Sequence, residues 1–300
     1  LYWINTSDGF LAIVAISGVM LSIAALTGLS DSFGMIVSVS VWTLLWLFYL
    51  SFVNIGQTFY SFGWETLLLE TGFLAIFLGS VDTSPPKIII WLLRWVLFRL
   101  MFGAGLIKLR ADPCWRDLTC MYYHYETQPM PNPLSWYFHR LPPLTHQASV
   151  LLTHFVELIV PWGVFGPRMV GWTAGIFTIG FQILLILSGN LSWLNYLTLV
   201  LSIPCFDDGF LRRFIPLEIP HTPPISEMRA GVLIFLATLI LIMSVRPAIN
   251  LFSRHQMMNA SFEPLHLVNT YGAFGSVTNR RAEIIFEGTE DPRPGPSTQW

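Results

Sequence analysis

Three hundred residues, 53% of them hydrophobic and only 11% charged, do not describe a water-soluble domain, where about a quarter of residues carry charge. A net charge of −2 gives no footing for a nucleic acid, so no nucleic-acid partner is expected. The implied partner is the membrane lipid bilayer, and 12 Trp and 23 Phe suit its interfaces, where one end of an aromatic ring is dry and the other wet.

A helix needs about 20 mainly apolar residues to cross the hydrocarbon core. Residues 9–29 and 34–53 meet that length. Residues 66–80 are shorter, with Trp64 and Glu65 placed for its interface, and 88–107 are long enough but hold Arg94 and Arg99. Residues 149–165 include His154, Glu157 and Pro161, whereas 169–188 are uninterrupted. Residues 191–203 read as a short span or a re-entrant helix, and 229–245 as the last span. No basic leader with a small-residue cleavage site precedes the first segment, so that span is expected to target the chain.

Three polar regions separate these segments: 108–147, rich in Pro, Tyr and His; 204–228, with Asp207-Asp208-Gly209 and a proline cluster; and 247–300. In the last, 265–270 and 281–287 read as strands. The expected fold class is an all-α polytopic transmembrane bundle of about five to eight helices. It occupies 1–246, loop 108–147 included, and 247–300 begin a truncated β-rich extramembrane domain. The start at Leu1 and the linker-like Arg293-Pro294-Gly295-Pro296-Ser297 read as the bounds of a fragment.

If all eight segments cross, loop 108–147 and the tail lie on one side. Basic residues do not set the orientation, because Lys108, Arg110, Arg116 and Arg140 fall on that side and Lys87, Arg168, Arg212 and Arg213 on the other. Asn5, Asn190 and Asn259 begin N-x-[ST] acceptors, all on the loop side, with Asn259 the best-placed N-glycosylation candidate. They favour a lumenal loop side. A lumenal compartment would let Cys114 and Cys120 form a disulfide; otherwise they are free thiols in a packed loop.

Ionisable groups at membrane depth are costly and find partners inside the bundle. The candidate intramembrane polar network is Glu65, Glu70, Arg94, Arg99, Lys108, His154 and Glu157. His154 and Glu157, three apart, share a helix face. Arg94 and Arg99, five apart, need different partners. The set is either a polar site with Lys108 as a base or a group of ion pairs holding helices in register, and the near balance of acids and bases favours the pairs. No G-x-S-x-G elbow, P-loop, G-x-G-x-x-G or H-E-x-x-H occurs. His124, His139 and His146 lack metal-ligand spacing. No catalytic residue, metal site or cofactor is therefore expected.

Longer strings carry a resemblance. Cys114-Trp115-Arg116-Asp117-Leu118-Thr119-Cys120 and His124-Tyr125-Glu126-Thr127-Gln128-Pro129-Met130-Pro131-Asn132-Pro133 resemble the signature loop of the lipase maturation factors. So do Phe62-Gly63-Trp64-Glu65, Leu69-Glu70-Thr71-Gly72-Phe73, Ser188-Gly189-Asn190-Leu191-Ser192, Cys205-Phe206-Asp207-Asp208 and Asn269-Thr270-Tyr271-Gly272-Ala273-Phe274-Gly275. The match spans roughly 40–287 and lies nearer the factor 1 branch than the factor 2 branch. The resemblance implies a multi-pass glycoprotein of the endoplasmic reticulum membrane, a chaperone and not an enzyme. Its clients would be dimeric secreted lipases (lipoprotein lipase, hepatic lipase and endothelial lipase) that need it to fold and form homodimers. It also implies a lumenal client-binding C-terminal domain and about five spans, fewer than the eight read from hydropathy.

The alternative is an intramembrane enzyme. Lys108-Leu109-Arg110-Ala111-Asp112 is similar to the catalytic-lysine segment of vitamin K-dependent carboxylase, but Pro113-Cys114 intervene before Trp115. A transporter is a third class, and the chain lacks the internal symmetry many transporters show.

Overall fold

In lipid, no water is present to satisfy backbone N–H and C=O groups, so each apolar segment must close its own hydrogen bonds as a helix. The computed structural model describes residues 1–2, 4–216, 225–290, 293 and 295–298. The Pro220, Pro223 and Pro224 cluster and Pro294 lie outside the described residues.

Six helices are long and apolar enough to cross a membrane: Asp8–Leu26, Met35–Ile55, Lys87–Arg110, Pro143–Phe165, Arg168–Ser188 and Glu227–Phe252. Two shorter ones, Gly63–Ala75 and Leu194–Cys205, account for the remaining apolar segments. Both run between the same two ends of the bundle as the long helices. Gly63 lies against Asn259 of the tail, whereas Leu78, just past the other end of that helix, accepts a hydrogen bond from Arg229. Likewise Trp193, before the second short helix, meets Trp64, and Pro204 at its end accepts from Arg94. Each of the eight apolar segments read from hydropathy thus contains a helix among the described residues, six of them long enough to span and two shorter.

The Lys87–Arg110 helix is the hub. Its Ile89, Leu93, Val96, Leu97 and Met101 join one buried cluster with Leu67, Leu74, Val156, Phe181, Leu201, Leu236 and Ile240 from the surrounding helices. The Pro143–Phe165 segment changes character along its length. It is α-helical to His154, π-helical over Phe155–Ile159 and 3-10 over Val160–Phe165. Pro161 has no N–H for the carbonyl of Glu157 and its ring crowds that turn, so the helix widens just before it.

The tail is where expectation and structure part. Residues 265–270 and 281–287 form no strand, and the only bridge among the described residues pairs Ser261 with Asn269. The first stretch is held by side chains instead. The Glu263 carboxylate accepts from the backbone N–H groups of Leu265 and Leu267, and His266 sits in the left-handed region at φ 55°. In the second, Ile284, Ile285 and Phe286 are exposed and find no partner strand among the described residues. Leu267, Val268 and Tyr271 pack into the main core, and Val277 packs with Trp115, Cys120 and Tyr125 of the loop.

Candidate functional site

The hub helix carries Arg99 and Lys108 on opposite faces, because nine residues make two and a half turns. Each meets a carboxylate from a different neighbour. Glu70, on the Gly63–Ala75 helix, forms an ion pair with Arg99, and both side chains are 1% exposed. Glu70 also accepts from the Tyr271 hydroxyl (2.6 Å) and from the backbone and amide N–H groups of Asn269 (3.1 Å each). Arg99 in turn donates to the Asn269 carbonyl at 2.6 Å and lies over the Trp95 and Tyr271 rings. On the other face, Lys108 Nζ donates to both Glu157 oxygens at 2.6 and 2.7 Å and sits 5.4 Å from the Trp115 ring.

The rest of the expected network does not pair acid with base. Glu65 accepts from the Tyr49 hydroxyl and from Trp64 Nε1 at 3.0 Å. Arg94 donates through Nε to the Pro204 carbonyl at 2.9 Å and stacks over Trp91. His154 donates through Nε2 to the Trp115 carbonyl at 3.0 Å. Mutual ion pairing therefore holds for four of the seven residues. Neutral donors and acceptors serve Glu65, Arg94 and His154, because they sit near helix ends and loops that supply such groups.

The loop and tail interlock above this helix. Trp115 Nε1 donates to the Phe274 carbonyl (2.8 Å), and the Asp112 N–H donates to the Gly275 carbonyl (3.0 Å). Arg110 donates to the Leu251 carbonyl (2.6 Å) and to Gln256 (2.8 Å), and Gln256 reaches the Gly103 carbonyl (2.9 Å). A Cβ on Gly103 would lie 2.5 Å from the Tyr271 carbonyl, so only glycine lets the tail approach this closely. Loop and tail are in contact, so they share a side. Cys114 and Cys120 are joined within the loop, Cα to Cα 4.8 Å, and Cys205 is a separate buried thiol. Asn259 is exposed at φ 52°, its Oδ1 accepting a long bond (3.4 Å) from the Gly272 N–H.

A second set of loop residues caps a helix. The last carbonyls of any helix lack internal partners. For Arg168–Ser188 they are met by Gln128, whose Nε2 donates to the Ser188 carbonyl (3.0 Å), and by the Ser135 hydroxyl on that same carbonyl (2.7 Å). Asn132 adds bonds to the Ile186 and Gly189 carbonyls at 2.9 and 3.1 Å. The Gln128–Pro133 and Ser188–Ser192 strings, far apart in sequence, are two halves of one cap.

Between hub, loop and tail lies a cavity of about 250 Å³. Lys108, Glu157, His124, Gln182 and Asn195 supply its polar wall, and Leu100, Met101, Phe181, Trp115, Tyr271 and Phe274 much of the remainder. Burial, aided by the Lys108 charge, pushes the His124 imidazole down to about 4, so it is neutral at pH 7. Burial and the Glu70 carboxylate raise the Tyr271 phenol well above its ordinary value, so it stays a hydrogen-bond donor. No cluster of three or more His, Cys, Asp or Glu suited to a metal occurs among the described residues. Sequence reading missed Asn269, Tyr271, Gln182 and Asn195. The last two had a readable signal, as amides inside otherwise apolar helical stretches.

Comparison with known proteins follows the same residues. A family model described as the lipase maturation factor transmembrane domain matches residues 1–213. Lipase maturation factor 1 of Mus musculus is 45% identical over 93% of this chain and 54% of its own length. The Homo sapiens counterpart is 46% identical over 85% of this chain and 50% of its own length. Lipase maturation factor 2 of Xenopus laevis is 41% identical over 67% of this chain and 29% of its own length. The chain spans about half the length of the factor 1 relatives it matches. No solved structure matches it.

Proposed function

The chain belongs to the lipase maturation factor family, and from that premise we propose that it acts in the endoplasmic reticulum membrane to help secreted lipases fold and assemble. Six helices able to span and the transmembrane-domain match make it a multi-pass membrane protein. We place the 108–147 loop and the tail from 247 onward in the lumen, the tail leading into a client-binding domain, with Cys114–Cys120 oxidised and Asn259 available for N-glycosylation. The clients are lipoprotein lipase, hepatic lipase and endothelial lipase, assembled as homodimers, and the role is that of a chaperone without a reaction of its own.

The observation that best supports this reading is the set of exposed apolar side chains in the loop and tail, outside the helices able to span. The loop exposes Met130, Leu134, Trp136 and Tyr137, and the tail exposes Ile284, Ile285 and Phe286. Trp136 and Tyr137 touch edge to face, and Arg140 lies 3.6 Å over the Trp136 ring. A half-folded lipase presents apolar surface until its dimer interface closes, and a partner that covers it favours assembly over aggregation.

The test is rescue. Full-length protein expressed with lipoprotein lipase in cells lacking any lipase maturation factor is expected to restore active lipase dimer in the medium. Alanine at Met130, Trp136 and Tyr137 together should reduce that activity while the protein remains membrane-inserted. Inactive lipase alongside correctly inserted wild-type protein would refute the maturation role.

A further inference from the structure

The cavity beside the hub helix holds polar groups that the protein itself leaves unused. Asn195 is 2% exposed and lines the space, and its side chain makes no hydrogen bond to any described residue. Gln182 is 4% exposed, and its side chain's one hydrogen bond among the described residues is a long 3.6 Å donation to the Met101 sulfur. The His124 ring nitrogens also have no hydrogen-bond partner among the described residues, and the ring lines the same space. Buried amides without partners are rare because each keeps the cost of leaving water.

The charges in this wall are already matched. Lys108 gives two of its donors to Glu157, and the histidine is neutral. An ion entering the cavity would meet no free counter-charge and would have to break that pair to find one. Apart from Thr153, Thr198 and Asn259, the remaining wall, including Leu100, Met101 and Phe181, is mainly apolar. Amide N–H groups and a neutral imidazole in such a wall call for carbonyl or hydroxyl oxygen on an otherwise apolar body.

We propose that this cavity binds a neutral, mainly apolar molecule carrying a few carbonyl or hydroxyl oxygens, with Asn195 and Gln182 as its hydrogen-bonding anchors. The volume of about 250 Å³ equals roughly eight liquid waters and suits about ten to fifteen non-hydrogen atoms. Esters and alcohols of medium-chain acyl groups have this chemistry.

The probe is 1-octanoylglycerol with a diazirine on its acyl tail, applied to full-length protein in lipid nanodiscs, with labelled peptides read by mass spectrometry. Labelling is expected within the helical segments that line the cavity. Unlabelled 1-octanoylglycerol should displace it, while sodium octanoate and octylammonium compete at least about fivefold less well, the loss of roughly one hydrogen bond or more. Asn195→Leu and Gln182→Met should each lower labelling by about fivefold, with the thermal midpoint held or raised because an unpaired amide is gone. If Asn195→Leu does not fold, Gln182→Met and the competition series carry the test. Labelling outside these segments, equal competition by octanoate, or labelling indifferent to the variants overturns the proposal in favour of a water-filled space.

Discussion

The hairpin of Asp8–Leu26 and Met35–Ile55 and the hub helix Lys87–Arg110 are all able to span, but they meet opposite surroundings. The most apolar 18-residue stretch of Asp8–Leu26 is 6% buried inside the protein, and that of the hub is 72% buried. Ile13, Ile16, Val19 and Ile23 of the first helix point outward, whereas Arg99 and Lys108 of the hub point in. In water the most apolar helix would be the core. In lipid the solvent is itself apolar, so the core is where polar groups find one another and small residues allow close approach. Gly103 under the tail is one such place.

Four measurements would break or sharpen this contrast. The largest effect is expected from Arg99→Leu, which leaves Glu70 buried without its cation. Losing one partner of a buried pair costs about 3–5 kcal/mol, seen as a lower denaturation midpoint of the purified protein and loss of client rescue. Next, Lys108→Met alone should be similarly damaging, whereas Lys108→Met with Glu157→Leu should recover to within about 1–2 kcal/mol of wild type, since apolar replacement of a whole pair is often neutral. Recovery of stability and lipase maturation together fits a structural pair. Recovered stability with abolished function would mark Lys108 as a reacting group and favour the intramembrane enzyme.

The third effect depends on pH. His124 has its folded value lowered from 6.5 to about 4, so the unfolded state binds more protons between those values. Stability is then fully present above 6.5, falls as pH drops towards 4, and is lower by roughly 2 kcal/mol at pH 5. His124→Phe should flatten that slope in pH-dependent melting. The smallest effect is Ile23→Val on the lipid-facing hairpin, expected within about 0.5 kcal/mol. A cost there comparable to that of Arg99→Leu would mean the hairpin is packed against something beyond lipid.

All eight apolar stretches were legible because length and hydropathy report the same requirement, backbone satisfaction in hydrocarbon. The seven ionisable residues were legible as candidates for a related reason: charge in or beside an apolar stretch is conspicuous. Their partners were not. Glu70 meets Asn269 across 199 positions, and nothing local to either residue specifies the other. The strand reading failed for a different cause. Residues 265–270 and 281–287 have strand-like composition, but a strand needs a neighbour, and the first stretch bonds to Glu263 and the bundle instead. The cavity was hidden because Gln182 and Asn195 are uncharged, and only their missing partners give them weight.

The bond between Glu70 and Asn269 also has a schedule. At 5–20 residues per second, the ribosome delivers Asn269 about 10–40 s after Glu70. Once Arg99 has followed, it and Glu70 have each other but neither the Asn269 carbonyl nor the Tyr271 hydroxyl. The half-made bundle waits in the membrane with its central cation incompletely dressed, open to whatever chaperone or degradation factor surveys polar groups there. Delivery of Asn269 and Tyr271 ends the wait, so a later segment certifies an earlier one.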